Sequence, residues 1–321
     1  MPQNHMTQQP VYFSGNAEPE RVLLSLAERI DDDFALQMET ALGNAAMRKG
    51  YDLTVLDSKN SVALQKAQVE SARRRGDSAI IIHLVDPAAA KDILDAAKGM
   101  KVLLINRPPA DLRLLNENVI FIGSDERVAG ELQGRWLANA FKAQGKKEMA
   151  YILLKGPPHV PSTYLRSEGA LGTLLEEGIL LVQAAPNVVA NFDHTQALVQ
   201  MIALLRTGVK PDVIISNNDA MALGAIEALE YIGAKDNKPL VVGIDATAPA
   251  IRALADGKLD MTVFHDADAK ANAALLALAN MQANRPATQG LEQYQTQDSP
   301  YNLHVPFQPV TRHLIPKNLY F

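Results

Sequence analysis

The sequence predicts an α/β fold of two similar lobes, each built on a parallel sheet. Short apolar runs, typical of buried parallel strands, alternate with helix-forming segments about ten times along the 321 residues. Ten strands are too many for one ordinary sheet, and the alternation begins again near Ser124. Hydrophobic residues make up 47% of the chain, which is enough for a packed core in each lobe.

The first half is predicted to contain strands at 21–26, 52–56, 79–84, 101–105 and 119–122. Helices are predicted at 34–48 and 62–75, and Gly50 and Gly76 end them. A third helix begins at Asp86-Pro87, because Asp caps a helix and Pro fits its first position.

The second half repeats this alternation, with right-handed crossovers expected between the strands. Strands are predicted at 149–154, 180–184, 240–243 and 261–264, and another opens at Val213. Helices are predicted at 127–143, 164–177, 220–231 and 267–281, and two more end at Leu205 and near Gly257. A polar connector then leads to Asn302 and an extended segment at 305–307.

Composition excludes several classes of function. The net charge of −5 argues against nucleic acid or an anionic membrane as the main partner. Without cysteine there are no disulfides, thiolate metal sites or cysteine nucleophiles. The polar segment 1–19 has no apolar run like the core of a signal peptide. The protein is therefore either cytoplasmic or an exported form that has lost its signal.

Polar and aromatic residues follow the predicted strands, where ligands gather in open α/β sheets. The stretch 213–223 is typical, since an apolar strand there gives way to Asn218 and Asp219 at the start of a helix. Amide, carboxylate and guanidinium groups bind pairs of sugar hydroxyls, and aromatic rings cover the apolar face of a sugar. The candidate ligand-binding residues are Asp32, Phe34, Asn106, Arg107, Arg166, Phe192, Asn218, Asp245 and His265.

Ordinary structural roles stay open for most of these residues. Asp32 fits a helix cap, Asn106 a turn and Arg166 a surface ion pair. The two phenylalanines fit the core, and a single histidine is usually structural. Nucleotide-binding, zinc-protease and hydrolase motifs are absent, and the histidines lack metal-ligand spacing. We therefore expect no enzyme activity, no cofactor and no metal site.

Five stretches resemble the type I periplasmic sugar-binding proteins, above all the galactose/glucose-binding and ribose-binding proteins. They are HLVDPAAA at 83–90, LLKG at 153–156, SNNDAMALGAIEAL at 216–229, VGID at 242–245 and TVFHDA at 262–267. The resemblance implies two Rossmann-like lobes joined by a three-segment hinge, with the sugar bound between them. The implied lobes are 20–124 with 266–304 and 125–265 with 305–321, after a disordered tail at 1–19.

The resemblance also implies roles for the candidate residues. Asp32, Asn106, Arg166, Asn218 and Asp245 fall on positions that hydrogen-bond the sugar. Phe34 and Phe192 fall on its two stacking positions, His265 replaces an amide side chain, and Arg107 falls where ribose-binding relatives use an arginine. Val160 and Ser162 stand where the galactose proteins carry a His and an Asp that contact the sugar, and their calcium loop is missing. A different monosaccharide, a furanose or a sugar derivative is therefore open.

The function implied is a periplasmic solute-binding protein that captures a monosaccharide by hinge closure. It would deliver the sugar to a membrane ABC permease or a chemoreceptor, acting as a monomer without nucleic acid. The alternative is the ligand-sensing domain of a signalling or transcription-regulatory system. Sugar-responsive repressors add a helix-turn-helix, for which segment 1–19 is too short.

Overall fold

The computed structural model describes residues 20–27, 33–233, 238–315 and 319. Its first part alternates strands and helices, beginning with β1 (Glu20–Leu26), α1 (Asp33–Lys49), β2 (Tyr51–Asp57), α2 (Val62–Arg75) and β3 (Ala79–Ile82). A short 3₁₀ turn, Pro87–Ala89, leads into α3 (Ala90–Ala96), and β4 (Lys101–Ile105) and β5 (Val119–Gly123) follow.

The second part continues the alternation. Its first elements are α4 (Glu126–Ala143), β6 (Glu148–Lys155), α5 (Pro161–Glu176), β7 (Leu180–Gln183), β8 (Val188–Val189) and α6 (His194–Leu205). The next are β9 (Val213–Ser216), α7 (Asp219–Tyr231), β10 (Leu240–Val242), α8 (Ala248–Ala255) and β11 (Met261–Phe264). The last are α9 (Ala267–Gln282), β12 (Asn302–His304) and β13 (Gln308–Thr311).

The strands form two separate sheets. The first has the order β12-β5-β4-β3-β1-β2, and the second has the order β13-β11-β10-β9-β6-β7, with β8 also paired to β6. The described strand pairs are parallel except β11 with β13. The chain passes between the sheets after β5, after β11 and after β12. The predicted two-lobed α/β fold with three connecting segments is confirmed.

Each sheet is covered by helices on both faces, which explains why its strands read as continuous apolar runs. One core lies between the first sheet, α1 and α9, and a second lies between that sheet, α2 and α3. The second sheet has one core against α6 and α7 and another against α4 and α5. Packing on both faces holds the strand ends, and therefore the polar residues that follow them, at one edge of each sheet.

The strand predictions differ from the structure in several places, and neither β12 nor β13 was predicted. The segment 305–307, predicted as extended, lies between β12 and β13 and belongs to neither strand. Strand β12 was not predicted from the sequence. Its three residues contain one buried apolar side chain, Leu303, which is too few to form a recognisable apolar run. Strand β8 has only two residues, and β3 ends at Ile82 rather than at residue 84.

Two predictions concern residues outside those that the structure describes. They are the disordered tail at 1–19 and the ligand-binding role of Asp32. Within the described ranges, no helix has the length and hydropathy needed to cross a membrane.

Candidate functional site

Several predicted ligand residues meet where the two sheets end. Asn106 follows β4 of the first sheet, and Asp245 and His265 follow β10 and β11 of the second. Arg166 lies in the second turn of α5. Asp245, His265 and Arg166 are at least 94% buried, so their polar atoms depend on one another rather than on bulk water.

His265 is the centre of this cluster. Its Nδ1 lies 3.3 Å from Oδ1 of Asp245, and its Nε2 contacts the ammonium nitrogen of Lys270. Burial, together with the positive charges of Lys270 and Arg166, holds the pKa of His265 well below its ordinary 6.5. The imidazole is therefore neutral and donates through one nitrogen while accepting through the other.

Lys270 joins the cluster from α9, which packs on the first sheet. Its side chain is fully buried, and Nζ donates to Oδ1 of Asn106 at 3.1 Å. Burial lowers the pKa of Lys270 to about 7, although Glu126 and Asp245 favour its charged form. Lys270 thus connects a residue of the first lobe with the segment that leads out of β11.

Arg166 is held by three groups of the second lobe. Its Nε donates to Oε2 of Glu126 at 2.6 Å, and Nη1 donates to the carbonyl oxygen of Asn217 at 2.7 Å. Nη1 also lies 3.7 Å from Oδ1 of Asp245. Because the planar guanidinium has several donors in a fixed arrangement, these contacts orient it toward the cluster.

Aromatic rings border the same cluster. The ring of Phe34, at the start of α1, stacks on the His265 ring with centroids 4.1 Å apart and planes 8° apart. Phe307 lies on another side of that imidazole, with ring centroids 4.8 Å apart. The Phe34 ring thus has one face against His265.

Asn218 and Phe192 lie together at the end of β9. Oδ1 of Asn218 accepts from the Met221 backbone N–H at 3.0 Å and caps α7, and its Nδ2 donates to the Phe192 carbonyl at 3.2 Å. The Phe192 ring lies against Gly156, where an added Cβ would come within 2.2 Å of it. Glycine in the LLKG stretch therefore makes room for the aromatic ring.

Arg107 is directed toward the end of β3. Its Nη1 donates to the carbonyl oxygens of Leu84 at 2.7 Å and Val85 at 2.6 Å. Burial, with the charges of Arg107 and Lys270, lowers the pKa of nearby His83 to about 3. His83 is therefore neutral, and the guanidinium of Arg107 lies close enough to contribute to that lowering.

The loop that carries Asp245 has an unusual backbone. Asp245 has φ of 121° and Ala246 has φ of 55°, both in the region that favours glycine. Buried Asp219 holds this loop, since its Oδ2 accepts from the Thr247 N–H at 2.9 Å and its Oδ1 accepts from the Thr262 hydroxyl at 2.7 Å. Burial raises the pKa of Asp219 to about 7, and these hydrogen bonds oppose the rise.

The sequence prediction missed two charged members of the cluster, Lys270 and Glu126. A signal existed for Lys270, which shares a helical face with Ala267 and Ala274, both buried. A lone lysine on such a face is unusual, because lysine is rarely fully buried. Glu126 gave no signal, because acidic residues are common in the first turn of a helix.

This architecture, two α/β lobes with a buried polar cluster at their sheet edges, is that of a two-lobed binding protein. A protein-family model described as periplasmic binding protein domain matches residues 25–286. The chain belongs to that family, whose members are substrate-binding proteins rather than enzymes.

Three similar proteins are informative. A protein of Rhizobium meliloti named for rhizopine binding is 31% identical over 80% of this chain and 82% of its own length. The D-galactose/methyl-galactoside binding periplasmic protein of Haemophilus influenzae is 31% identical over 82% of each chain. The structure of an ABC transporter solute-binding protein from Bacillus halodurans with bound myo-inositol is 28% identical, with a TM-score of 0.75, over 93% of this chain and 97% of that one.

Proposed function

We propose that this protein is the solute-binding component of an ABC importer for a small polyhydroxylated ring, a monosaccharide or a cyclitol such as myo-inositol. The observation that carries the proposal is the buried cluster in which His265 contacts Asp245 on one side and Lys270 on the other. Carboxylate, guanidinium and amide groups at such a site suit vicinal hydroxyls, which donate and accept at once.

The relatives support this class of ligand. The similar proteins above are named for rhizopine and galactose binding, and one contains myo-inositol. We propose the ligand residues Asp32, Phe34, Asn106, Arg107, Arg166, Phe192, Asn218, Asp245 and His265, and add Lys270 as a residue that supports two of them.

The proposed mechanism is hinge closure. The ligand binds one lobe, and the second lobe closes because groups from both lobes bind the same ring. We propose the lobes 20–124 with 266–304 and 125–265 with 305–321, which agree with the membership of the strands in the two sheets. We further propose that the protein acts in the periplasm as a monomer, delivers its ligand to a membrane permease and leaves the ligand chemically unchanged.

A thermal-shift screen tests the ligand class. The panel contains pentoses, hexoses, sugar acids, sugar alcohols and myo-inositol, and calorimetric titration follows for each hit. A ligand that binds only the native state stabilises it by about 4 kcal/mol at a thousand times its Kd. At least one member should raise Tm and be recovered intact. A panel without any shift would refute the proposal.

Asp245→Asn tests the site itself. Asp245 is 96% buried, and the substitution keeps its shape while removing the charge that faces Arg166 and His265. The ligand found in the screen should bind about 1.5–3 kcal/mol more weakly, because hydrogen bonds to charged groups contribute that much. Asp95→Asn, in an exposed ion pair with Lys91, is the matched control and should bind normally. Equal affinity in both variants would remove Asp245 from the site.

A further inference from the structure

The buried position of Lys270 is energetically unfavourable for a lysine. It lies on the buried face of the alanine-rich helix α9, and none of its surface is exposed to solvent. Burying an ammonium group is unfavourable unless it is paired and hydrogen-bonded. An apolar side chain such as Met would fill the same space without burying a charge. Packing alone therefore does not explain why this residue is a lysine.

The partners of its ammonium nitrogen are acceptor atoms on two proposed ligand residues. Nζ lies 3.1 Å from Oδ1 of Asn106 and contacts Nε2 of His265. It also lies 5.9 Å from the centroid of the Phe307 ring, whose face attracts a cation. An ammonium group donates three hydrogen bonds and accepts none, so both partner atoms must be acceptors.

This requirement fixes two side chains that are otherwise ambiguous. An Asn amide has nearly the same shape after a half-turn, and a neutral imidazole has two tautomers. Opposite Lys270, the amide of Asn106 must present its oxygen, so its NH2 group is turned away from the lysine. Nε2 of His265 must carry no proton, so Nδ1 carries it and donates to Asp245 at 3.3 Å.

We propose that Lys270 is a positioning residue that sets the hydrogen-bond polarity of the ligand site. It makes Asn106 a donor toward the ligand and His265 a donor toward Asp245. The ligand must then place an oxygen lone pair, from a hydroxyl, a ring ether or a carboxylate, against Asn106. This inference rests on the proposed binding of a polyhydroxylated ring and specifies the chemistry of one of its contacts.

The polarity requires the charged form of the lysine, because a neutral amine has a lone pair that could accept from Nε2 of His265. Burial lowers the pKa of Lys270 to about 7, while Glu126, Asp245 and Asp266 favour the charged form and Arg166 opposes it. Below that pH the ammonium form donates to both acceptors. The backbone of Asn106 has φ of 60°, a left-handed conformation that Asn tolerates well.

Lys270→Met and Lys270→Gln test the proposal, with Lys66→Met on the exposed surface of α2 as the matched control. Met keeps the shape without donors, and Gln restores one amide donor. Affinities are measured by calorimetry with myo-inositol, D-galactose and D-ribose, and Tm is measured without ligand. Lys270→Met should fold with an unchanged or higher Tm, because a buried charge is removed. It should lose about tenfold or more in affinity, Lys270→Gln should recover part of that loss, and Lys66→Met should match the wild type.

A second readout needs no ligand. Nitrogen-15 spectra of the imidazole groups report which ring nitrogen carries the proton, and His265→Gln identifies the signals of that ring. The wild type should show His265 protonated on Nδ1 only, because Nε2 faces the donor Lys270 and Nδ1 faces the carboxylate of Asp245.

Two results would overturn the polarity while leaving sugar binding intact. They are a wild-type His265 protonated on Nε2, and a Lys270→Met variant that binds as tightly as the wild type. A wild type that binds no sugar or cyclitol refutes the proposed function, and the ligand contact at Asn106 falls with it.

Discussion

Gly130→Ala links helix packing directly to the site. Helices α4 and α5 approach closely at glycines, and a Cβ added at Gly130 would lie 2.0 Å from the carbonyl oxygen of Arg166. It would also lie 2.8 Å from the backbone nitrogen of Ala170. Because real Cβ atoms essentially never come closer than 3.0 Å to such atoms, the helices must separate by about 1 Å.

The expected cost has two opposing parts. Overpacking of a tight core interface destabilises by about 1–3 kcal/mol. Replacing Gly by Ala inside a helix contributes up to about 1 kcal/mol in the other direction. Gly172→Ala on α5 isolates the second part, because nothing lies within 4 Å of its added Cβ. The two variants should therefore differ by about 1–3 kcal/mol in stability, or about 2–10 °C in Tm.

The same displacement should weaken ligand binding. The clash falls on the backbone of Arg166, whose Nη1 donates to the Asn217 carbonyl at 2.7 Å and lies 3.7 Å from Asp245. A movement of about 1 Å exceeds the range of a good hydrogen bond, so we expect at least tenfold weaker binding by calorimetry. If Gly130→Ala bound its sugar as tightly as Gly172→Ala, Arg166 would not depend on this interface.

Two further predictions address charge and aromatic packing. Because burial lowers the pKa of Lys270 from 10.5 to about 7, the unfolded chain takes up a proton between these values. The stability of the ligand-free protein should therefore rise as pH increases from about 7 to 10.5, and Lys270→Met should abolish this contribution in Tm measured against pH. Gly156→Ala places a Cβ within 2.2 Å of the Phe192 ring, so the ring must move and calorimetry should find weaker binding than in Gly172→Ala. Equal affinities would separate Phe192 from the ligand.

The bounds of helices and strands could be predicted from the sequence where capping or polar residues mark their ends. Helix α2 begins after Ser61, whose side chain accepts from the Leu64 N–H, and ends at Gly76 in the left-handed conformation. Strands β4 and β11 are apolar runs that polar residues terminate, and their bounds were predicted correctly. Strands β12 and β13 are short and lie at sheet edges, so their pairing depends on the tertiary fold rather than on a local pattern.

Part of the site could be predicted from the sequence, because ligand residues commonly follow the ends of parallel strands. This rule indicated Asp245 and His265, and the structure brings these side chains into contact. It could not find Lys270, because that residue reaches the cluster through the packing of α9 on the other sheet. It also could not give the direction of the Arg107 side chain, which turns toward carbonyl oxygens at the end of β3.

The buried position of Lys270 sets protein stability against ligand binding. A buried charge is often replaced by an apolar residue without loss of stability, and sometimes with a gain. The lysine stands five residues after His265, in the first turn of α9, directly after the crossing from β11. Stability alone would favour Met at this position of α9. If Lys270 orients Asn106 and His265 as proposed, its contribution to ligand binding offsets the unfavourable burial of its charge. The Lys270→Met variant should then bind its ligand more weakly and be more stable, rather than fold poorly.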